Sequence, residues 1–500
     1  MELVFAEKPC RYLRRVVHAA RAQEQTADVI VPDSFPDVER IVYTGASAIV
    51  RSKECRAGSV SVTGGLRAAA LYVPDDGSQP RVLDAYIPFT VRLDDPALTE
   101  QTQVIVQCGV CSADARMVNS RKVLLRVNVC CTADGFEPAE QTLYTLSSRP
   151  PQLQLREQTY PVLLPVETAE KSFTVSDEIM LPTGAALGQL CCFDTAPQID
   201  ERRVVGNKAV FKGTLCVHAL YKTPEGRMQT VSQIVPFSQY CELTGEYDDG
   251  EAQITMAVTG AQLEPDAAQP EQKLCFAVQL LAQCAVSRTQ SVTLIEDAYA
   301  IGAELTPQWC DVALESRLDA QTLRQTLRET VRAGVQSVAE CTAYLGLPVQ
   351  TRAQGGVHLE VPAFVNLLYY DRDDALQGAS ARLAAQCDVA LAQEGQCIVQ
   401  PALLPDTYAA PAPDGAEVRC ECQLGVQCFS GQTLRTLCGG ELEAQPRPAS
   451  RPSVIVRRAA QSGALWELAK TYGASVDAIR SANDLTGDEI AAGEIVLIPM

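Results

Sequence analysis

GSVSVTGGLRAAALY (Gly58 to Tyr72), NKAVFKGTLCVHALY (Asn207 to Tyr221) and GVHLEVPAFVNLLYY (Gly356 to Tyr370) can be laid over one another without a gap, each 15 residues long. At the seventh, ninth and last positions they carry Gly64, Leu66 and Tyr72, then Gly213, Leu215 and Tyr221, then Pro362, Phe364 and Tyr370. Internal repetition of this kind sets the architecture before any single motif does. A Pro-Phe pair follows the tyrosine by 16 residues in the first copy (Pro88, Phe89) and by 15 in the second (Pro236, Phe237), and the third copy lacks it.

Working outward, each copy is followed by a two-stretch apolar block: VIVQCGV and VLLRVNVCC, ITMAVTG and LCFAVQLLAQC, CIVQPAL and VRCECQLGVQC. The unit is therefore about 120 to 130 residues, an ordinary domain size. Short alternating or β-branched runs separated by PDDGSQP, TPEGR and YDDGEA read as strands joined by turns, because proline fixes φ and glycine accepts positive φ. The expected fold is mainly β, with three antiparallel β-sandwich-like repeat domains and a small terminal module. The expected boundaries are an N-terminal segment (1–24), unit one (25–150), unit two (165–300), a divergent unit three (320–445) and the module (453–500).

Two helices are expected ahead of the terminal module, one near the start of the chain and one in the repeat region. One is a leading helix whose solvated face carries Arg11, Arg14, Arg15 and Arg21. The other is DAQTLRQTLRETVRAGVQSV, where Leu323, Leu327, Val331 and Val335 recur every four residues. Proline-rich stretches around Pro150 and from Pro446 to Pro452 read as linkers.

Length and charge bound the function. The chain has 500 residues, 47% hydrophobic and 21% charged, which suits several globular domains. Its net charge of −19 argues against a nucleic-acid or anionic-lipid binder. No run of about 18 apolar residues and no secretion-type leader is read, so neither a membrane span nor export is expected. Twenty cysteines diluted over 500 residues are expected as reduced thiols, many as small buried hydrophobes.

Catalytic chemistry finds little support. His18, His218 and His358 are the only histidines and have no ligand spacing. Cys108 and Cys111 have CxxC spacing but no second pair, so they read as strand residues. The adjacent pairs Cys130-Cys131 and Cys191-Cys192 neither close a disulfide on themselves nor suggest a metal cage. No phosphate-binding glycine loop appears, and Asp75-Asp76 and Asp248-Asp249 read as solvated turns. No catalytic residue, metal or cofactor is expected.

The terminal stretch SVIVRRAAQSGALWELAKTYGASVDAIRSANDLTGDEIAAGEIVLIPM reads as strand, helix, helix, strand. Leu465, Leu468, Ala469 and Tyr472 share a helical face, Gly473 suits the helix end, and Ser475 suits the cap of the next helix. This segment resembles the LysM family through LWELAKTYGASVDAIRSAN and DLTGDEIAAGEIVLIP. The resemblance implies a shallow N-acetylglucosamine-glycan groove over Ser462, Gly463, Ala464, Leu465 and Trp466 on one side and Asn483, Asp484 and Leu485 on the other. The family's usual Gly-Asp-Thr is replaced by Ser462-Gly463-Ala464, which removes two polar side chains where sugar hydroxyls need partners. The groove is therefore expected to bind a protein, with Trp466 as a partly exposed hot spot and only weak glycan affinity.

With its repeats, its PDSFPDVERIV entry and this module, the whole chain resembles SipL-like spore-coat morphogenetic proteins, built from SPOCS-type domains with a terminal LysM. The resemblance implies a non-enzymatic scaffold in the mother-cell cytoplasm at the forespore surface. It also implies a coat-basement morphogenetic ATPase and coat proteins as partners. Self-association through the repeats is a further expectation, and a wall-glycan-binding protein is the alternative.

Overall fold

The computed structural model describes residues 1–391, 395–405, 407–444, 452–459 and 461–500. Antiparallel strands dominate, and the two helices among the described residues lie in the terminal module.

The first unit comprises β1 (Phe5–Ile30), β2 (Val38–Arg56), β3 (Ser59–Pro74), β4 (Arg81–Asp94), β5 (Gln103–Asn119) and β6 (Lys122–Leu146). They form two sheets, β1-β6-β5 and β2-β3-β4, packed through Val60, Val62, Leu66 and Tyr72 against Val123, Leu125, Val127 and Val129. In the second unit β7 (Leu153–Met180), β8 (Gln189–Val205), β9 (Lys208–Lys222), β10 (Met228–Glu242), β11 (Gly250–Pro265) and β12 (Lys273–Ala300) repeat that order as β7-β12-β11 and β8-β9-β10. The third unit has β13 (Ala303–Val331), β14 (Val335–Leu345), β15 (Val349–Ala353), β16 (Gly356–Asp371), β17 (Leu376–Ala390), β18 (Gln396–Leu403), β19 (Tyr408–Ala412) and β20 (Gly415–Ala444). Here β13 and β18 flank β20, with β19 also on β20, and β16 pairs with β14, β15 and β17.

The three aligned segments, which begin at residues 58, 207 and 356, an even interval of 149, lie on the central strands β3, β9 and β16. One face of each fills its own unit's core: Leu66 and Tyr72, Leu215 and Tyr221, Leu359 and Leu367. The other face leaves the unit. Leu71, Leu220 and Leu368 join Tyr43, Cys191, Met228 and Tyr370 in one cluster drawn from all three units. Polar bonds follow the same seam: Ala46 N–H donates to Tyr344 Oη at 2.9 Å, Met228 N–H to Tyr370 Oη at 2.8 Å, and Asn366 Nδ2 to the Thr44 and Ala113 carbonyls at 2.9 and 2.8 Å.

The repeated glycine has a steric cause. Gly64 is paired with Phe89 and Gly213 with Phe237, so the phenylalanine of each Pro-Phe pair lies across the glycine opposite it. A Cβ on Gly213 would fall on the Gln198 carbonyl oxygen and 2.7 Å from the Phe237 ring. Unit three has lost both partners together: Pro362 faces Ala384. Proline cannot donate to a ladder, and it sits where the neighbouring strand is interrupted between β14 and β15, opposite Gly346.

Several expectations are corrected. Residues 5–30 form one strand rather than a leading helix, so the boundary expected at 24/25 falls inside β1; Arg15 lies over the Phe136 and Phe429 rings, and Arg11 pairs with Glu140. The helix expected over 319–338 is mostly β13, because a four-residue recurrence also keeps side chains on one face of a strand. The expected unit starts at 165 and 320 likewise fall inside β7 and β13. Eight cysteines expected as thiols are paired as Cys108–Cys131, Cys111–Cys130, Cys310–Cys438 and Cys397–Cys428. The adjacent Cys130 and Cys131 bond across to β5 rather than to each other, and Cys397 and Cys428 are direct ladder partners. The linker expected from Pro446 to Pro452 lies outside the described residues except for Pro452.

Replacing Gly213 by Ala should destabilise the full chain by roughly 1–3 kcal/mol, the usual cost of overpacking, read as a lower urea midpoint. Gly109→Ala, where an added Cβ meets nothing within 4 Å, should leave the midpoint almost unchanged.

Candidate functional site

The terminal module is built from β21 (Val454–Arg458), β22 (Gly463–Ala464), α1 (Leu465–Tyr472), α2 (Val476–Ala482), β23 (Glu489–Ile490) and β24 (Ile495–Pro499). Strands β21 and β24 pair antiparallel, and so do β22 and β23. Leu465, Ala469, Ile479, Val496 and Ile498 form its core. Gly473 ends α1 at φ 59°, and Ser475 caps α2 by accepting from Ala478 N–H at 3.4 Å, as the sequence predicts.

The eight expected groove residues divide into distinct roles. Ser462, Gly463 and Ala464 are exposed, and the only polar side chain among them, Ser462, accepts from Ala492 N–H at 3.1 Å. Ala464 occupies the cap position of α1 without a side-chain hydrogen bond, while Leu465 N–H donates to the Asp488 carbonyl at 2.7 Å. Leu465 is core rather than groove. Asn483 is spent on the frame: its amide donates to the Ile479 and Leu497 carbonyls at 2.8 and 2.6 Å and accepts from Leu497 N–H at 2.7 Å. Asp484 is exposed in a turn at φ 51°, and Leu485 packs partly against the core. The first loop is tied by hydrogen bonds to residues 488–492, whereas Asn483 is tied to β24.

Trp466 has an intramolecular partner. Its indole N–H donates to Asp297 Oδ2 at 2.8 Å, and its ring meets Tyr299 edge-on, with centroids 5.0 Å apart and planes at 70°. Lys470 Nζ donates to both Asp297 oxygens at 2.7 and 2.9 Å, Tyr299 Oη donates to the Ala474 carbonyl at 2.7 Å, and Arg156 pairs with Glu467 at 3.3 Å. The module is thus seated on the end of β12 by an aromatic pair and a shared carboxylate. Burial alone would raise the Asp297 carboxyl, but the hydrogen bonds from Lys470 and Trp466 outweigh it and hold the group below its ordinary value. Asp297 and Tyr299 escaped sequence reading because nothing local in SVTLIEDAYA marks a contact with a segment more than 160 residues away.

On the outer face of β21 and β24, Val454, Val456, Ile495 and Leu497 are exposed at 49, 63, 65 and 39%. A two-stranded sheet with four exposed aliphatic side chains is an uncovered apolar surface.

Comparison with known families agrees with the resemblance read from the sequence. Residues 186–264, from the turn before β8 through β11, match the SipL, SPOCS domain, and residues 464–499 match the LysM domain. Both are of non-catalytic kinds, and together they indicate a sporulation-related protein carrying a module of the glycan-binding class. The chain matches no curated protein and no solved structure. Among the described residues no helix is long and apolar enough to cross a membrane.

Asp297→Ala should loosen the seat by about 1–2 kcal/mol, the scale of charge-assisted hydrogen bonds discounted for the partial exposure of Lys470. The check is faster protease cleavage between residues 444 and 454, with the melting temperature of the β units unchanged. A carboxyl held below its ordinary value stabilises above the unfolded-state value and loses that effect as the pH falls through the folded-state value. The same cleavage should therefore quicken in wild type under acidic conditions and be less pH-dependent in the variant.

Proposed function

We propose that this chain is a non-enzymatic scaffold of endospore coat assembly that docks through its LysM module to a coat-basement morphogenetic ATPase on the forespore surface. The β units then recruit coat proteins on the mother-cell side. The domain pair supports a role in sporulation. The observation that carries protein docking over sugar binding is the state of the groove. Its first loop offers small side chains and one hydroxyl already engaged, and the Asn483 amide is consumed by backbone groups. A sugar site needs unspent polar groups at fixed positions. The exposed residues left for a partner are Ser462, Gly463, Ala464 and Asp484, joined by the aliphatic face of Val454, Val456, Ile495 and Leu497.

A wall-glycan-binding protein is the second reading, favoured by the LysM match itself. Pull-down from sporulating cells separates the two. The full chain should retain the ATPase, and Val456→Glu should weaken that binding at least about tenfold, or 1.4 kcal/mol, without a change in melting temperature. Binding of N-acetylglucosamine oligomers at micromolar concentration, with no ATPase retained by the wild-type chain, would establish the second reading instead.

A further inference from the structure

Where the three units meet, a cavity of about 890 Å³ is lined by β2, β8, β9 and β14 together with adjoining segments, including the stretch after β18. Its polar wall is asymmetric. In unit two, Asp194, His218 and Ser232 are ladder neighbours across β8, β9 and β10. His218 is fully engaged, with Nδ1 2.7 Å from Ser232 Oγ and Nε2 2.6 Å from Glu340 Oε2 of unit three. Glu340 also accepts from Cys341 N–H at 2.8 Å and from Thr342 Oγ1 at 3.2 Å, and Thr342 Oγ1 lies 2.6 Å from Tyr43 Oη of unit one. A continuous polar chain thus joins all three units and uses up both His218 and Glu340.

Asp194 stands outside that chain. It lies deep in the protein, yet its surface is accessible because it faces the cavity. Its carboxyl has a backbone hydrogen bond from Thr195, and among the described residues no side chain is found within hydrogen-bond distance of it. Burial lifts this carboxyl to about 6, with the Glu340 charge adding to the rise and the Thr195 N–H and the neighbouring His218 opposing it, so a further cation in the cavity would favour its ionised form. The lining arginine, Arg67, is turned over the Phe193 ring at 5.4 Å and forms no ion pair among the described residues. Tyr43, Phe193 and Tyr344 add aromatic wall, and Cys192 and Cys216 add soft apolar wall.

We infer that this cavity binds a small organic cation, an amine or quaternary ammonium with an apolar body, using Asp194 as its counter-ion and the Tyr43 and Tyr344 rings as its aromatic wall. A carboxylate and aromatic faces lining one concave site is a combination that favours such cations. A metal ion is a poorer occupant. The one group of three ligating side chains close enough to hold one among the described residues, Glu178, Asp266 and Cys275, lies elsewhere.

The test uses the full chain and two soluble probes of nearly the same shape, acetylcholine and its neutral carbon isostere 3,3-dimethylbutyl acetate. Calorimetric titration should show one acetylcholine site per chain, at least tenfold tighter than the isostere. Asp194→Asn, checked for folding by its melting curve, should bring the two affinities together. Equal affinities in the wild-type chain, or no binding of acetylcholine into the millimolar range, overturns the inference without recourse to a variant. So does an Asn variant that folds and keeps the full preference for the cation.

Discussion

The structure depends on one packing constraint: the last residues of each repeated strand are buried on both faces. In β3 every residue from Ala68 to Tyr72 is buried, where a one-sided strand would alternate. Tyr72, Tyr221 and Leu367 belong to the cores of their own units, while Leu71, Leu220 and Leu368 belong to the shared cluster. A fully buried leucine contributes about 1.5–3 kcal/mol relative to an exposed one, so a unit separated from the others would leave part of that stabilisation unrealised. The three units accordingly behave as parts of one assembly rather than as beads on a string. The start of the chain joins in, because Leu3 N–H bonds to the Gly440 carbonyl in unit three.

That constraint was partly legible in the sequence. The runs AAALY, VHALY and NLLYY end each aligned segment in consecutive apolar residues. Such a run fits a strand covered on both sides, but only the fold shows what covers the second side. The glycine and the Pro-Phe pair were visible as separate features of the first two copies and absent together in the third. Their register explains the joint loss: a ring that covers a glycine has no place opposite a proline.

The misreadings have equally specific causes. Leu323, Leu327 and Val331 are spaced by four, which leaves side chains on one face of a strand and only drifts slowly around a helix; the missing three-residue spacings were the discriminating sign. The disulfide pairs were hidden because ladder partners such as Cys108 and Cys131 come together only when strand register is fixed. In the module, the helix caps were legible because capping is local. The destination of Trp466 was not, because Asp297 and Tyr299 approach it through tertiary packing.

Seating the module on β12 changes what the chain can present to a partner. Trp466, the hot spot expected from the sequence, is occupied by Asp297 and Tyr299, so the docking proposed above falls to the aliphatic residues of β21 and β24, which stand exposed. A flexibly tethered module would lose orientational freedom on binding. A seated one has already lost it and holds its exposed face in a fixed relation to the three units, which would lower the entropic cost of the simultaneous docking and recruitment proposed above. Asp297 is therefore a positioning residue in the docking proposed above: through Lys470 and Trp466 it fixes the direction in which the aliphatic face of the module points.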